Sequence, residues 1–238
     1  MEDLRLAAKY SFMPNRLKYC GPADADRILY DFVLGKQNSV LIKDIMEQFH
    51  GLYLYLELIG RKNNLEPFDR RVIESYWIGN GLIENVGIDN IKNLILKEFT
   101  KRGLPQSSAN QLVKKIPVNV VPHHSFHVFH IHSITGKLLP TIGNLDSCRI
   151  SAGRVKEILD GKVTVEYRPL IAEEILQLGS LTEKEIVYDR GFIKDLKIND
   201  FVSIHWNFAV EKLNQERVEN LEKYTRRNID AMNSLSGL

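Results

Sequence analysis

Apolar positions in the first half of the chain recur mostly at three- and four-residue intervals. Val40, Ile42, Ile45, Phe49, Leu52, Tyr53, Leu56 and Ile59 predict one amphipathic helix, beginning after the capping residue Ser39 and ending near Gly60. Further helices are expected over 24–34, 69–85, 89–101 and 107–115. Each opens on an Asp or Ser suited to capping, and Gly or Pro separates them.

At Pro117 the pattern changes. Residues 117–133 (PVNVVPHHSFHVFHIHS) combine Val, Ile, Phe and His and lack charged helix formers, which predicts a strand. A turn-rich link over 139–147 follows. Short alternating segments at 154–159, 162–167, 185–189 and 200–205 are joined by the turn signals Asp160-Gly161 and Arg190-Gly191, the pattern of a small β-barrel. From Asn214 the helical period returns, with Val218, Leu221, Tyr224 and Thr225 on one face. The expected fold class is α+β, with a helical domain over 1–116, a histidine-rich strand and linker over 117–145, and a β-barrel with a C-terminal helix over 146–238.

Composition narrows the function classes. The 238 residues are 44% hydrophobic, enough for a substantial core, and 32 basic against 30 acidic residues leave a net charge of +2. That balance argues against nucleic acid as the partner. The apolar windows are far shorter than the ~20 residues of a membrane span, and the first ten residues lack the apolar run of a secretory signal. With only Cys20 and Cys148, both read as reduced thiols, the expected compartment is the cytoplasm.

Five of the seven histidines lie between His123 and His132. On a strand, His124, His130 and His132 share one face and His127 takes the other. The pair His130/His132 could then hold Fe, Ni or Zn with a further ligand such as Cys20, Cys148, His205 or a carboxylate. The alternatives are buried, hydrogen-bonded histidines and acid–base catalysis. Cys20 precedes a Gly-Pro turn and an expected helix N-terminus, which could make it a reactive thiol. Tyr76–Gly81 (YWIGNG) lacks the lysine of a phosphate loop and is assigned to packing, with Trp77 as an anchor. No Gly-x-Ser-x-Gly, Ser-x-x-Lys or His-Glu-x-x-His motif occurs, so hydrolase chemistry has no local support.

Two blocks carry a family resemblance. The run from Cys148 to Val155 (CRISAGRV) resembles the opening of the HypC-type hydrogenase-maturation chaperones through Cys148, Gly153 and Val155. The run from Ile198 to Val210 (INDFVSIHWNFAV) is similar to that family's second signature through Asp200, His205, Phe208 and Ala209. The resemblance implies an OB-like barrel and a non-enzymatic metallochaperone or assembly factor in [NiFe] hydrogenase maturation. Such a factor docks on a maturation protein or the hydrogenase large subunit and presents Cys148 and His205. The sequence departs from the family at an internal rather than N-terminal cysteine, at Ala152 in place of proline, and at Asn199 and Trp206-Asn207 in place of glycines. The YWIGN run and the histidine-rich segment are also similar to an uncharacterised family, which implies no function. The competing expectations are a metalloenzyme built on the histidine cluster and an interaction module without metal.

Overall fold

The computed structural model describes residues 2–37, 39–132 and 138–236. The first helix, α1 (Glu2–Arg16), is one the periodicity did not reveal. Its acidic first turn and its Arg16 suit the helix dipole, yet Ala7, Ala8, Tyr10, Ser11 and Asn15 are all buried. A helix buried on so many sides has no single apolar stripe. Helix α1 packs on α2 (Asp26–Val33) and also touches the sheet, so it stands between the two halves of the molecule.

The helix expected from Ser39 to Gly60 is two: α3 (Ser39–Glu47) and α4 (His50–Asn63). Phe49 leaves the helical region (ψ 83°), where its ring is buried and its carbonyl accepts from the amides of Leu52 and Tyr53. Next come α5 (Arg70–Trp77), capped by the Asp69 carboxylate accepting from the Arg71 amide, and a 3₁₀ turn at Gly81–Asn85. Helix α6 (Ile88–Asn93) runs into a π-helical turn at Leu94–Phe99, and α7 (Gln106–Lys115) follows.

The expected histidine strand is not a strand. His124–Phe126 forms α8, which continues as a π-helix over His127–Ile131. His123 caps it, its Nδ1 accepting from the Ser125 amide, and every residue from Val120 to Ile131 is buried. The β-forming composition thus reflects burial on all sides, which periodicity cannot distinguish from a buried strand. The supposed link before the sheet contains α9 (Ile142–Cys148), capped by Thr141, so Cys148 ends a helix rather than opening a strand.

The strands are β1 (Ser151–Leu159), β2 (Lys162–Tyr167), β3 (Leu170–Ala172), β4 (Leu176–Leu178), β5 (Thr182–Val187), β6 (Phe201–His205) and β7 (Phe208–Leu213). Five of them pair in the order β1-β2-β5-β7-β6, and β6 returns to β1. The pairings are antiparallel except for a single parallel pair, Val187 with Phe208, between β5 and β7. Strands β3 and β4 form a separate hairpin. Asn199, Trp206 and Asn207 all have positive φ, so two of the places where the sequence departs from glycine keep the backbone that glycine favours. The last helix, α10 (Gln215–Ser236), buries Leu221, Tyr224 and Thr225 as expected. No helix among the described residues is long and apolar enough to cross a membrane.

One hydrophobic cluster joins the halves, with Tyr10, Leu56 and Tyr76 from the helices and Val165, Ile204 and Phe208 from the sheet. Gly79 lets α5 end against α10. Its φ is +98°, and a Cβ there would lie 2.1 Å from the Tyr224 ring. Gly79→Ala should cost about 3 kcal/mol, combining backbone strain with overpacking. Gly81→Ala, which meets open space, should stay within about 0.5 kcal/mol. Chemical denaturation of both variants checks the contrast, and equal midpoints would refute it.

Candidate metal centre

Helix α8, the end of α9 and the end of β6 bring His124, Cys148 and His205 together. One ligand atom from each lies within 4.8 Å of the others. Both imidazoles are buried and Cys148 is half-buried.

Each histidine is held from behind. His205 donates through Nδ1 to the Tyr10 carbonyl at 2.8 Å, which leaves Nε2 with its lone pair, buried and without a well-formed hydrogen bond. His124 Nδ1 lies 2.9 Å from the Tyr76 hydroxyl, and that hydroxyl is also bonded to the Gly51 carbonyl. Tyr76 has one proton. When it goes to Gly51, His124 donates through Nδ1 and its Nε2 is bare, 4.0 Å from Cys148 Sγ. In the other tautomer Nε2–H donates to the Cys148 carbonyl at 3.0 Å. An outer hydrogen bond that fixes Nδ1–H and frees Nε2 is the usual support of a ligating histidine.

Electrostatics favour neutral donors. Burial lowers His205 to about 4, with the Tyr10 and Cys148 carbonyls opposing. It also holds His124 well below its ordinary value, helped by His205 and His127. Burial pushes the Cys148 thiol up, and the Trp206 indole N–H pulls it back. The thiol is therefore protonated without metal, and a bound cation would have to displace that proton.

Backbone strain accompanies the site. Trp206 sits at φ 51° with its amide donating to the Ser147 carbonyl at 2.7 Å, which ties the β6–β7 turn to α9 and sets Trp206 beside Cys148. Asp146, two residues before the end of α9, accepts from Arg149, from the Tyr167 hydroxyl and from the Leu170 amide. It anchors α9 against the sheet.

A cavity of about 320 Å³ adjoins the three ligands, with Trp77, Trp206, Phe49 and Tyr19 among its walls. His127 and His132 line it too. The His127 Nδ1 lies 3.4 Å from the Tyr55 hydroxyl, and a Cβ on Gly51 would reach within 2.9 Å of its Nε2. His130 points elsewhere, with its Nε2 3.2 Å from the Asn228 carbonyl. The expected His130/His132 pair on one strand face is therefore not formed, because the π-helix turns the two residues apart. Cys20 is exposed and lines the cavity, but α2 begins only at Asp26, so the helix N-terminus invoked to activate this thiol does not sit at it. Sequence reasoning missed the supporting groups, the Tyr10 carbonyl and the Tyr76 hydroxyl. Trp77, read as a packing anchor, stacks on Tyr10 at 4.9 Å and lies 4.5 Å from the His124 ring.

A family model described as "Family of unknown function (DUF6390)" matches residues 2–237. No curated protein and no solved structure matches the chain.

Proposed function

We propose that this chain, which belongs to the DUF6390 family, holds a thiophilic transition metal between His124, Cys148 and His205 and acts as a metal-handling assembly factor of the HypC type. The observation that carries the reading is the convergence of one nitrogen from each of two imidazoles and one thiol within 4.8 Å, with the Tyr10 carbonyl on the Nδ1 of His205 and the Tyr76 hydroxyl on the Nδ1 of His124. One sulfur and two nitrogens suit Fe(II), Ni(II) or Zn(II) and not magnesium or calcium. The His205 Nε2, buried without a well-formed hydrogen bond, fits that donor set.

The resemblance to HypC rests on Cys148 and His205, and their adjacency supports it. In this reading the client is a protein, a hydrogenase maturation factor or the hydrogenase large subunit. Tyr10 and Tyr76 orient the imidazoles, and aromatic rings line the cavity beside them. A bound ion would supply Lewis acidity beside the cavity.

Three candidate ligands beside a cavity support a second reading, a metalloenzyme, since catalytic zinc sites use three protein ligands and leave one place for water or substrate. The set is then His124, Cys148 and His205, not the His130/His132 pair.

Cobalt(II) titration of the metal-free protein tests the site. A thiolate-to-cobalt charge-transfer band should appear and vanish in Cys148→Ser. His205→Gln should weaken binding by about tenfold or more, whereas His130→Ala should leave it unchanged. No band, or a band that survives in Cys148→Ser, would remove the proposal. Rapid loss of the ion to a chelator would favour the assembly factor, and retention the enzyme.

A further inference from the structure

The described walls of the cavity carry no formally charged side chain. No Asp, Glu, Lys or Arg is among the described residues that line it. A divalent cation held by one thiolate and two neutral imidazoles leaves one net positive charge. Uncompensated charge beside largely apolar walls is costly, and no carboxylate among the described residues of these walls offsets it.

The start of α4 adds to this. Phe49, His50, Gly51 and Leu52 line the cavity, and the helix has no side-chain cap. The positive end of a 14-residue helix thus faces the same space.

We infer that the open position takes a monoanion with a small apolar body, a carboxylate lying between the metal, the first turn of α4 and the aromatic walls of Trp77 and Trp206. A cavity of about 320 Å³ is at the low end of the volumes that hold small molecules and suits a single-ring acid. Benzoate has that size and charge. Benzamide matches its shape without the charge, and phthalate carries a second charge for which the walls offer no partner. The inference rests on the metal site proposed above, because the charge it balances is the metal's.

The test uses the cobalt-loaded protein, read by the cobalt absorption spectrum, and the metal-free protein, read by fluorescence of Trp77 and Trp206, the chain's two tryptophans. Benzoate should perturb the cobalt spectrum with at least tenfold higher affinity than benzamide or phthalate. It should bind the metal-free protein at least tenfold more weakly. Equal affinity for benzoate and benzamide, or equal affinity with and without cobalt, would overturn the inference and leave the metal site standing. An absent cobalt band marks the different failure, that of the metal site, and would remove both.

Discussion

Asp146→Ala is expected to cost about 3–5 kcal/mol, the penalty for stranding a buried charge. The guanidinium of Arg149 has 3% side-chain exposure and its carboxylate partner 10%, at 2.7 Å. Removing the carboxylate leaves Arg149 with the Arg168 carbonyl and no counter-ion of its own, and it frees the Tyr167 hydroxyl and the Leu170 amide as well. The double variant Asp146→Ala/Arg149→Leu should recover much of the loss, because two apolar residues replace a charge pair whose desolvation is itself costly. Denaturant unfolding of the two variants decides this. A single variant within about 1 kcal/mol of the parent would mean that water reaches Arg149. Since Asp146 lies two residues before Cys148, cobalt affinity should also fall in Asp146→Ala and return in the double variant if α9 regains its place.

Acidification should destabilise the metal-free protein by roughly 5 kcal/mol between pH 7.5 and 5.5. Burial lowers His123 to about 3 and His127, His130 and His205 to about 4. Their unfolded counterparts titrate near 6.5. Above that pH neither state binds the protons. As pH falls below it the unfolded chain takes them up and the folded one does not, so stability declines by about 1.4 kcal/mol per pH unit for each histidine. The loss continues down to about pH 4, where the folded imidazoles protonate too. Such a decline is a large share of the 5–15 kcal/mol typical of a domain. Unfolding midpoints measured from pH 8 to 4.5 should be flat above 7 and drop steeply below 6.5. A flat profile through pH 5.5 would mean that these imidazoles are solvated. A tightly bound metal should shift the drop to lower pH.

Strands β1 and β2 were legible because each alternates and they meet at the Asp160-Gly161 turn, whereas β6, buried from Val202 to His205, was legible from its β-forming residues. The three-residue strands β3 and β4 offer too short a pattern to alternate visibly. Helix α1 escaped because Ala7, Ala8, Ser11 and Asn15 are buried beside Tyr10 and Phe12, so small and polar residues fill positions that a one-sided helix gives to large apolar ones. The segment from Val120 to Ile131 was misread for a related reason: total burial selects Val, Ile and Phe whatever the backbone does. Cys148 and His205 were legible through their resemblance to a family motif, and His124 stood out only as one of five clustered histidines. Nothing in the sequence points to a backbone carbonyl as the support of a ligand, since every residue carries one and only the fold selects Tyr10.

The bond from His205 to the Tyr10 carbonyl spans 195 residues, and that separation sets an order of assembly. A growing chain exposes His124 and Cys148 well before His205 has been made, and a two-ligand fragment grips a cation weakly. The third ligand can lock only after β6 has closed onto α1, one of the longest loop closures this chain can make and a slow step in folding. On the metal site proposed above, loading would therefore follow folding: the completed protein, and not the nascent chain, would select the ion, and a premature cation would meet thiol and imidazole without the geometry that distinguishes one metal from another.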